Sequence, residues 1–393
     1  MNPAEVDFVF DEMPGGRLHE VLHACRAAGS IAPTRFMGLP AFVIASYDAL
    51  LDALRDNERF PPHRMYEVSF EPAVGKSFIS MADLEKHRVY RKLATPAFRS
   101  RAVERYAEDG LEALAHELID GLEGQQTFDL VAAYTARFPY LVISRLLGLP
   151  RDREDDFHRW ALGLLRFREE PEAAAIAARE FTRFLTPIIE SRRQDPQDDV
   201  ISALLAARVE GRRLDDEEVR SHVRLLFPTG GETTHGSLGN LFYALFTQLT
   251  DGWRHMAAHP EAIPAAVEEA LRWETPIAVL PRLSASRPIE FRGVDVPPDS
   301  WVLFAMAGAN RDPALHEDPD RFDLDRKPGD TLTFGRGVKS CPGMHLARRN
   351  MSVATRVLAE RMPDLTLVDP EAALPRRSVL RSPNALWVRR GRA

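Results

Sequence analysis

The stretch Phe334-Gly335-Arg336-Gly337-Val338-Lys339-Ser340-Cys341-Pro342-Gly343 wraps a loop around one cysteine and hands it to a helix-patterned run over residues 344–360. A thiolate becomes a good metal ligand where positive potential stabilises its charge, and backbone amides with a helix N-terminus supply that potential without another ionisable group. Gly335, Gly337 and Gly343 reach φ > 0 freely and carry no side chain to hold a flat partner off the backbone. Pro342 lacks an amide hydrogen and suits the first helical position. A lone buried cysteine is ordinarily just a small apolar side chain; the surrounding glycines and Phe334 reverse that weighting. Together these residues describe a cradle for one sulfur facing something large and planar, which suits haem with a cysteine axial ligand.

A second unusual stretch, residues 225–234, reads Leu-Leu-Phe-Pro-Thr-Gly-Gly-Glu-Thr-Thr in the middle of a long helix-patterned run, 215–248. Glycine costs a helix about 1 kcal/mol relative to alanine and proline about 3, so stability alone would not concentrate them there. The expected consequence is a local distortion, a gap where ligand or water reaches the backbone and where the Thr233 hydroxyl bonds outward, not to its own helix. On the residues alone another reading stays open, that Gly230-Gly231 merely lets two helices cross closely.

The decapeptide around Cys341 closely resembles the haem-ligand loop of the cytochrome P450 superfamily, Phe-Gly-x-Gly-x-His/Arg-x-Cys-x-Gly. Lys339 departs from that pattern, keeping the charge of the usual histidine or arginine but losing the planar fork. Residues 229–234 resemble the family's oxygen-activation motif, Ala/Gly-Gly-x-Asp/Glu-Thr-Thr/Ser, with Thr229 in place of the usual small residue. The resemblance makes Glu232 and Thr233 an acid–alcohol pair that brings protons to iron-bound oxygen. Glu269 and Arg272 resemble the Glu-x-x-Arg motif, and Arg321 falls in the segment that supplies its third member. His87 and Arg91 match a His-x-x-x-Arg pattern, and Arg282 the arginine after the Glu-x-x-Arg helix; with Lys339 they form the implied haem-propionate set. Phe334, Gly335 and Gly343 join them as haem-contacting residues. The resemblance runs from about residue 83 to 383 and includes residues 309–313 and 381–383.

Size and composition are compatible with it. The chain has 393 residues, 45% hydrophobic and 28% charged, with a net charge of -7 that argues against general nucleic-acid affinity. Length alone suits either two or three domains or one large α-rich enzyme domain; composition does not split the chain, and the resemblance implies a single domain over 1–393. Two cysteines, Cys25 and Cys341, fit a reducing cytoplasm and no disulfide. The first fifteen residues hold no apolar run of signal or anchor length. Helix spacing covers 102–122, 172–192, 215–248, 264–273 and 344–360, with a polar connection at 194–199. Strand signals are short and late, at 289–291, 301–305 and 385–388, around a turn at 293–299. The fold class expected is mainly α with a small β region, which the resemblance sharpens to a triangular helical prism around a buried haem.

Gly75-Lys76-Ser77 lacks the earlier glycine of a phosphate-binding loop, residues 116–120 lack the second histidine of a zinc-protease helix, and Gly335-x-Gly337 lacks the third glycine of a dinucleotide fingerprint. By resemblance, the chain is a haem b monooxygenase that hydroxylates or epoxidises an apolar organic molecule with O2. No flavin or nicotinamide segment is present, so two electrons come from another protein, and the family's bacterial members commonly use a ferredoxin with an NAD(P)H-dependent reductase. Lys92, Arg99, Arg101, Arg336, Lys339, Arg348 and Arg349 are the expected docking cations. The expected substrate wall is 60–79, Leu226, Phe227, Thr229, 277–279, Val379 and Leu380, with Arg64 and Arg381 as carboxylate binders of lower rank than structural residues. Two competitors remain, a peroxide-using or isomerase-like relative and a non-catalytic haem sensor or carrier.

Overall fold

Helices form close to where the apolar periodicity places them. The computed structural model describes residues 2–391 apart from 109, 210 and 328. The helices that position the site are α1 (Arg17–Ala28), α2 (Leu84–Ala94), α3 (Phe138–Leu147), α4 (Phe157–Leu165), α5 (Pro171–Gln194), α6 (Asp216–Thr247), α7 (Ile263–Trp273) and α8 (Met344–Arg361). The run 102–122 is two helices, Ser100–Glu108 and Leu111–Asp120; Gly110 takes φ 139° and ends the regular backbone between them. Pro342 precedes the α8 N-cap, Gly343, so it lies two positions before the first helical residue, Met344, the place assigned to it from sequence.

α6 is the axis of the molecule. A capping box starts it: Glu218 N–H donates to the Asp215 carboxylate and Asp215 N–H to the Glu218 carboxylate. The helix packs against α3, α4, α5, α7 and α8, and its middle is buried on nearly every face. It runs unbroken through Pro228, Gly230 and Gly231, so the expected distortion is absent. Gly230 and Gly231 lie against Ile143 and the ring of Tyr140, which lets α3 cross α6 at close range. The Thr233 hydroxyl donates to the Thr229 carbonyl of its own helix at 2.9 Å, the usual back-bond of a helical threonine.

A four-stranded sheet covers one side, with β1 (Ala32–Phe36), β2 (Leu39–Ile44), β3 (Leu280–Leu283) and β4 (Trp301–Phe304) in the order β1-β2-β4-β3. β1 and β2 are antiparallel, joined by Met37-Gly38 with both φ positive, as a tight hairpin twisted to match its strands requires. β2 and β4 are parallel, β4 and β3 antiparallel. The strand expected at 385–388 is Trp387–Arg390, paired with Leu365–Leu367 and Thr127–Asp129. Among the described residues no helix is long and apolar enough to cross a membrane.

Two buried ionic networks fix the irregular segments. Arg272 bonds both Glu269 oxygens at 2.8 and 2.7 Å and donates to the carbonyls of Asn310, Pro319 and Arg321. The third member is Arg326, whose Nε lies 3.2 Å from Glu269 Oε1; Arg321 offers only its carbonyl, and its side chain faces solvent. In the second network Glu274 holds Arg381 at 2.6 Å and His19 at 3.0 Å, tying α1 to the C-terminal segment. Burial pulls His19 down to about 4, with Arg311 acting in the same direction and Glu274 opposing. Between pH 6.5 and 4 the unfolded chain therefore binds a proton here that the folded chain does not, so stability is present above 6.5 and falls as pH drops through 4. Denaturant titrations across that range show the wild-type stability falling with pH, and His19→Gln flattens the slope; an unchanged slope refutes the assignment.

Candidate functional site

The Cys341 loop closes on itself by two backbone bonds, Cys341 N–H to Phe334 O at 2.8 Å and Gly335 N–H to Leu332 O at 2.8 Å. Gly335 and Gly337 take φ 65° and 77°, the left-handed region that glycine enters without a Cβ penalty. A Cβ on Gly335 would meet nothing within 4 Å, so open space faces the loop there, and one on Gly343 would stand 3.9 Å from Cys341 Sγ. Burial pushes the Cys341 thiol up, while the Gly343 amide and the positive charges of Arg91 and Arg348 pull it back.

Cys341 opens onto a cavity of about 250 Å³. Phe334, Gly335, Gly343, Leu346 and Ala347 form its cysteine side; Leu225, Leu226, Thr229, Gly230 and Thr233 of α6 form the opposite wall. Of the sequence-assigned residues, Arg91, Arg282 and Lys339 stand at its edge, whereas His87 lies behind the lining. His87 is buried between the carbonyls of Phe78 (2.7 Å) and Val338 (3.0 Å), and Arg91 donates to Ser340 O at 2.5 Å. Lys339 Nζ donates to Phe78 O and Ile79 O at 3.1 and 2.7 Å, and Arg282 lies over the rings of Tyr66 and Phe304. Burial, then the charges of Arg282 and Arg91, bring Lys339 down to about 7. Arg91, Arg282 and Lys339 have no carboxylate partner among the described residues. Three cations at the rim of an apolar cavity, with a thiol on its floor, fit a planar group carrying two carboxylates and a metal.

A second cavity of about 390 Å³ adjoins the first through Tyr66, Ile79, Thr229, Thr233, Ile277 and Leu280. Phe36, Met65, Phe70, Leu165, Val379 and Leu380 make it apolar, and Arg166, Arg168, Glu169 and Arg377 stand on its wall. Of the expected substrate wall, Phe227, Ala278 and Val279 are instead fully buried core; Phe227 stacks between Phe181, Phe157 and Tyr140. Arg64 is taken by Asp299 and Ser284, and Arg381 by Glu274, Met13 and Gly15, so neither is free for a ligand. Sequence reading missed Arg168, whose guanidinium stacks on Trp301 at 4.8 Å with Nε buried and unbonded. A surface groove of about 950 Å³ around Arg151 and Arg183 holds none of the candidate residues.

Glu232 and Thr233 part company. Thr233 lines both cavities, but the Glu232 carboxylate points away, accepting from Tyr140 Oη at 2.6 Å and lying 3.3 Å from His158 Nε2. Burial pushes this carboxyl up, and the His158 bond, the positive charge of His235 and His158 and the Tyr140 bond together outweigh it and hold it below the usual carboxylate range. Tyr140 and His158 were not singled out from sequence, because both lie far from Glu232 along the chain. Gly231→Ala tests the packing that sets this geometry: a Cβ there overlaps the Tyr140 ring. Thermal unfolding of that variant shows a loss of about 1–3 kcal/mol; wild-type stability rules the packing argument out.

Residues 256–362 match the family model for cytochrome P450. The chain is 34% identical over 343 residues to cytochrome P450 107B1 of Saccharopolyspora erythraea, covering 84% of each. It is 34% identical over 344 residues to the mycinamicin IV hydroxylase/epoxidase of Micromonospora griseorubida, covering 86% of each. The solved structure of cytochrome P450 CYP109Q5 from Chondromyces apiculatus superposes over 99% of both chains with a TM-score of 0.86 at 30% identity. With a cysteine-floored cavity, rim cations and this fold, the chain belongs to the cytochrome P450 family and is a monooxygenase built on haem b.

Proposed function

We propose that the chain hydroxylates or epoxidises an apolar organic molecule, with Cys341 as the residue whose Sγ would hold the haem iron. The observation that carries this reading is one cavity holding the Cys341 loop on one wall, Thr233 on the other and three cations without carboxylate partners at its edge. When bound, the haem supplies O2 activation and the oxidising equivalent. Arg91, Arg282 and Lys339 would take its propionates, His87 buttresses the Val338 carbonyl, and Gly335 and Gly343 would let the ring approach the backbone. Phe334, held under the Arg348 guanidinium at 4.6 Å, packs on the cysteine side.

The Thr233 hydroxyl spends its proton on the Thr229 carbonyl, which leaves oxygen lone pairs facing the cavity to accept from water. Glu232, on the outer side of α6, accepts at Oε2 from the partly exposed His158, and passes protons inward by brief protonation at that oxygen followed by return to the carboxylate that its surroundings favour. The substrate lies in the second cavity, its apolar body toward Thr233 and any acceptor-bearing end against Arg168. Electrons come from a ferredoxin served by an NAD(P)H-dependent reductase, in the cytoplasm. The exposed Lys92, Arg99, Arg101 and Arg349 form its docking face; Arg336 is paired with Asp330, Arg348 with Glu268, and Lys339 points inward.

The reduced, carbon monoxide-treated protein should show the far-shifted Soret absorption of a thiolate–haem complex, and Cys341→Ala should lose it; retention by the variant ends the proposal. Glu232→Gln and Thr233→Ala keep that absorption but lower product formed per electron consumed. Equal coupling in both variants, or full turnover with peroxide alone, favours the peroxide-using alternative. In spin-state titrations Arg168→Leu weakens dodecanoate about tenfold or more, the worth of a charge-assisted hydrogen bond, and leaves dodecane unchanged. Equal losses for both ligands remove Arg168 from substrate binding.

A further inference from the structure

Beside Glu232 stands a group that oxygen chemistry does not call for. His158, Glu232 and His235 each offer one ligand atom, and the three atoms lie within 4.8 Å of one another. Glu232 and His235 are three residues apart on α6 and so share a face; His158 comes from α4, with its ring edge-to-face on His235 at 5.4 Å. We propose that these three side chains bind a divalent transition-metal ion of the zinc type, and that the bound ion withdraws Glu232 from proton supply.

A metal ion here would take the place of the proton that His158 Nε2 shares with the Glu232 carboxylate. Thr135 Oγ1 lies 3.1 Å from His235 Nδ1 and 3.5 Å from the Val131 carbonyl; in the tautomer with Nδ1 protonated it accepts from the ring and leaves the Nε2 lone pair for a ligand bond. Tyr140 bonds Glu232 Oε2 and so orients the carboxylate. Thr135 and Tyr140 thus stand as outer supports of the kind that orient metal-bound histidines and carboxylates. The separation of His158 Nε2 from Glu232 Oε2, 3.3 Å, already matches the spacing of two ligands about 2.0–2.1 Å from one zinc ion. Three protein ligands leave a fourth position for water, and the His158 side chain, 39% exposed against 4% for Glu232, provides the way in. Arg377 is the cation opposing a metal charge here, and its guanidinium is engaged with Leu380 O, Ser382 and Asn384.

The site itself stands independently of the oxygenase reading; the effect on proton supply rests on the role given there to Glu232. The test is calorimetric titration of the haem-loaded protein with zinc chloride, in a His255→Gln, His259→Gln background that removes the exposed pair of histidines whose rings lie 4.7 Å apart. One zinc ion per chain binds saturably, His158→Asn and His235→Gln each abolish that binding, and Thr135→Val weakens it by about tenfold or more. The reduced carbon monoxide spectrum of each variant reports whether its fold and haem site are intact, and His158, partly exposed, is the position where folding is least at stake. Absence of saturable binding, or binding unchanged in His158→Asn, overturns the site. With the site present, zinc lowers product per electron while leaving the carbon monoxide absorption in place; zinc binding without loss of coupling overturns the proton-supply claim and leaves the haem assignment to its own test.

Discussion

A buried guanidinium must place every N–H, and in this chain that requirement organises the irregular segment between residues 310 and 344. Arg272 is 2% exposed and gives its hydrogens to Glu269 and to three carbonyls from residues 310, 319 and 321. The stretch after residue 310 is nearly without regular backbone until α8, so it has few internal bonds with which to fix its own path. Arg272, Arg326 and Asn310 supply them from the side: Asn310 accepts from Leu332 N–H and donates to Thr333 Oγ1, and Thr333 in turn bonds the Leu271 carbonyl of α7. Phe334 and the cysteine loop follow at once. Removing either member of the Glu269–Arg272 pair would strand a buried charge worth several kcal/mol, and the damage would be felt first at Cys341.

α6 meets a different constraint. Successive residues on a helix diverge by about 100°, so an acid and an alcohol at adjacent positions do not face the same space. Thr233 faces the cavity and Glu232 faces α3 and α4, with the helix backbone between them. That separation keeps a permanent negative charge out of the apolar cavity while leaving it in reach of solvent through His158. Gly231 is what permits it: only without a Cβ does the Tyr140 ring come close enough for its hydroxyl to reach the carboxylate.

The cysteine loop, the Glu-x-x-Arg pair and the helix carrying Glu232 and Thr233 were legible because each is a local pattern, with its chemistry written within ten residues. What sequence missed is long-range. β1, β2 and β3 escaped notice because strand runs of four to six residues carry little periodicity, and β2–β4 pairs segments some 260 residues apart. The glycines of α6 were read as a defect of that helix, although their reason lies on α3, at Ile143 and Tyr140. Arg326 displaced Arg321 for a similar reason. Both arginines lie in one irregular segment, and only its folded path decides which side chain turns back to Glu269. His158 and Arg168 are single residues with no motif around them, so their roles exist only once α4 and its C-terminal turn are set against α6 and β4.

The charged groups of the interior divide by how they are compensated. Glu269, Glu274, Arg272 and Arg381 sit in closed networks where cation and carboxylate meet directly, and these are the places where distant chain segments are fastened. Arg91, Arg282 and Lys339 are withdrawn from water too, yet they meet carbonyl oxygens and aromatic faces, and Arg282 and Arg91 each push Lys339 toward its neutral form. Like charges held together at a low-dielectric rim cost folding free energy, whereas a dianion seated among them recovers it. Because such a group binds the folded chain and not the unfolded one, its affinity adds directly to stability. On the proposed reading the rim would couple cofactor and fold: the contacts that would hold the two carboxylates are the same ones that would relieve the repulsion left by building the cavity.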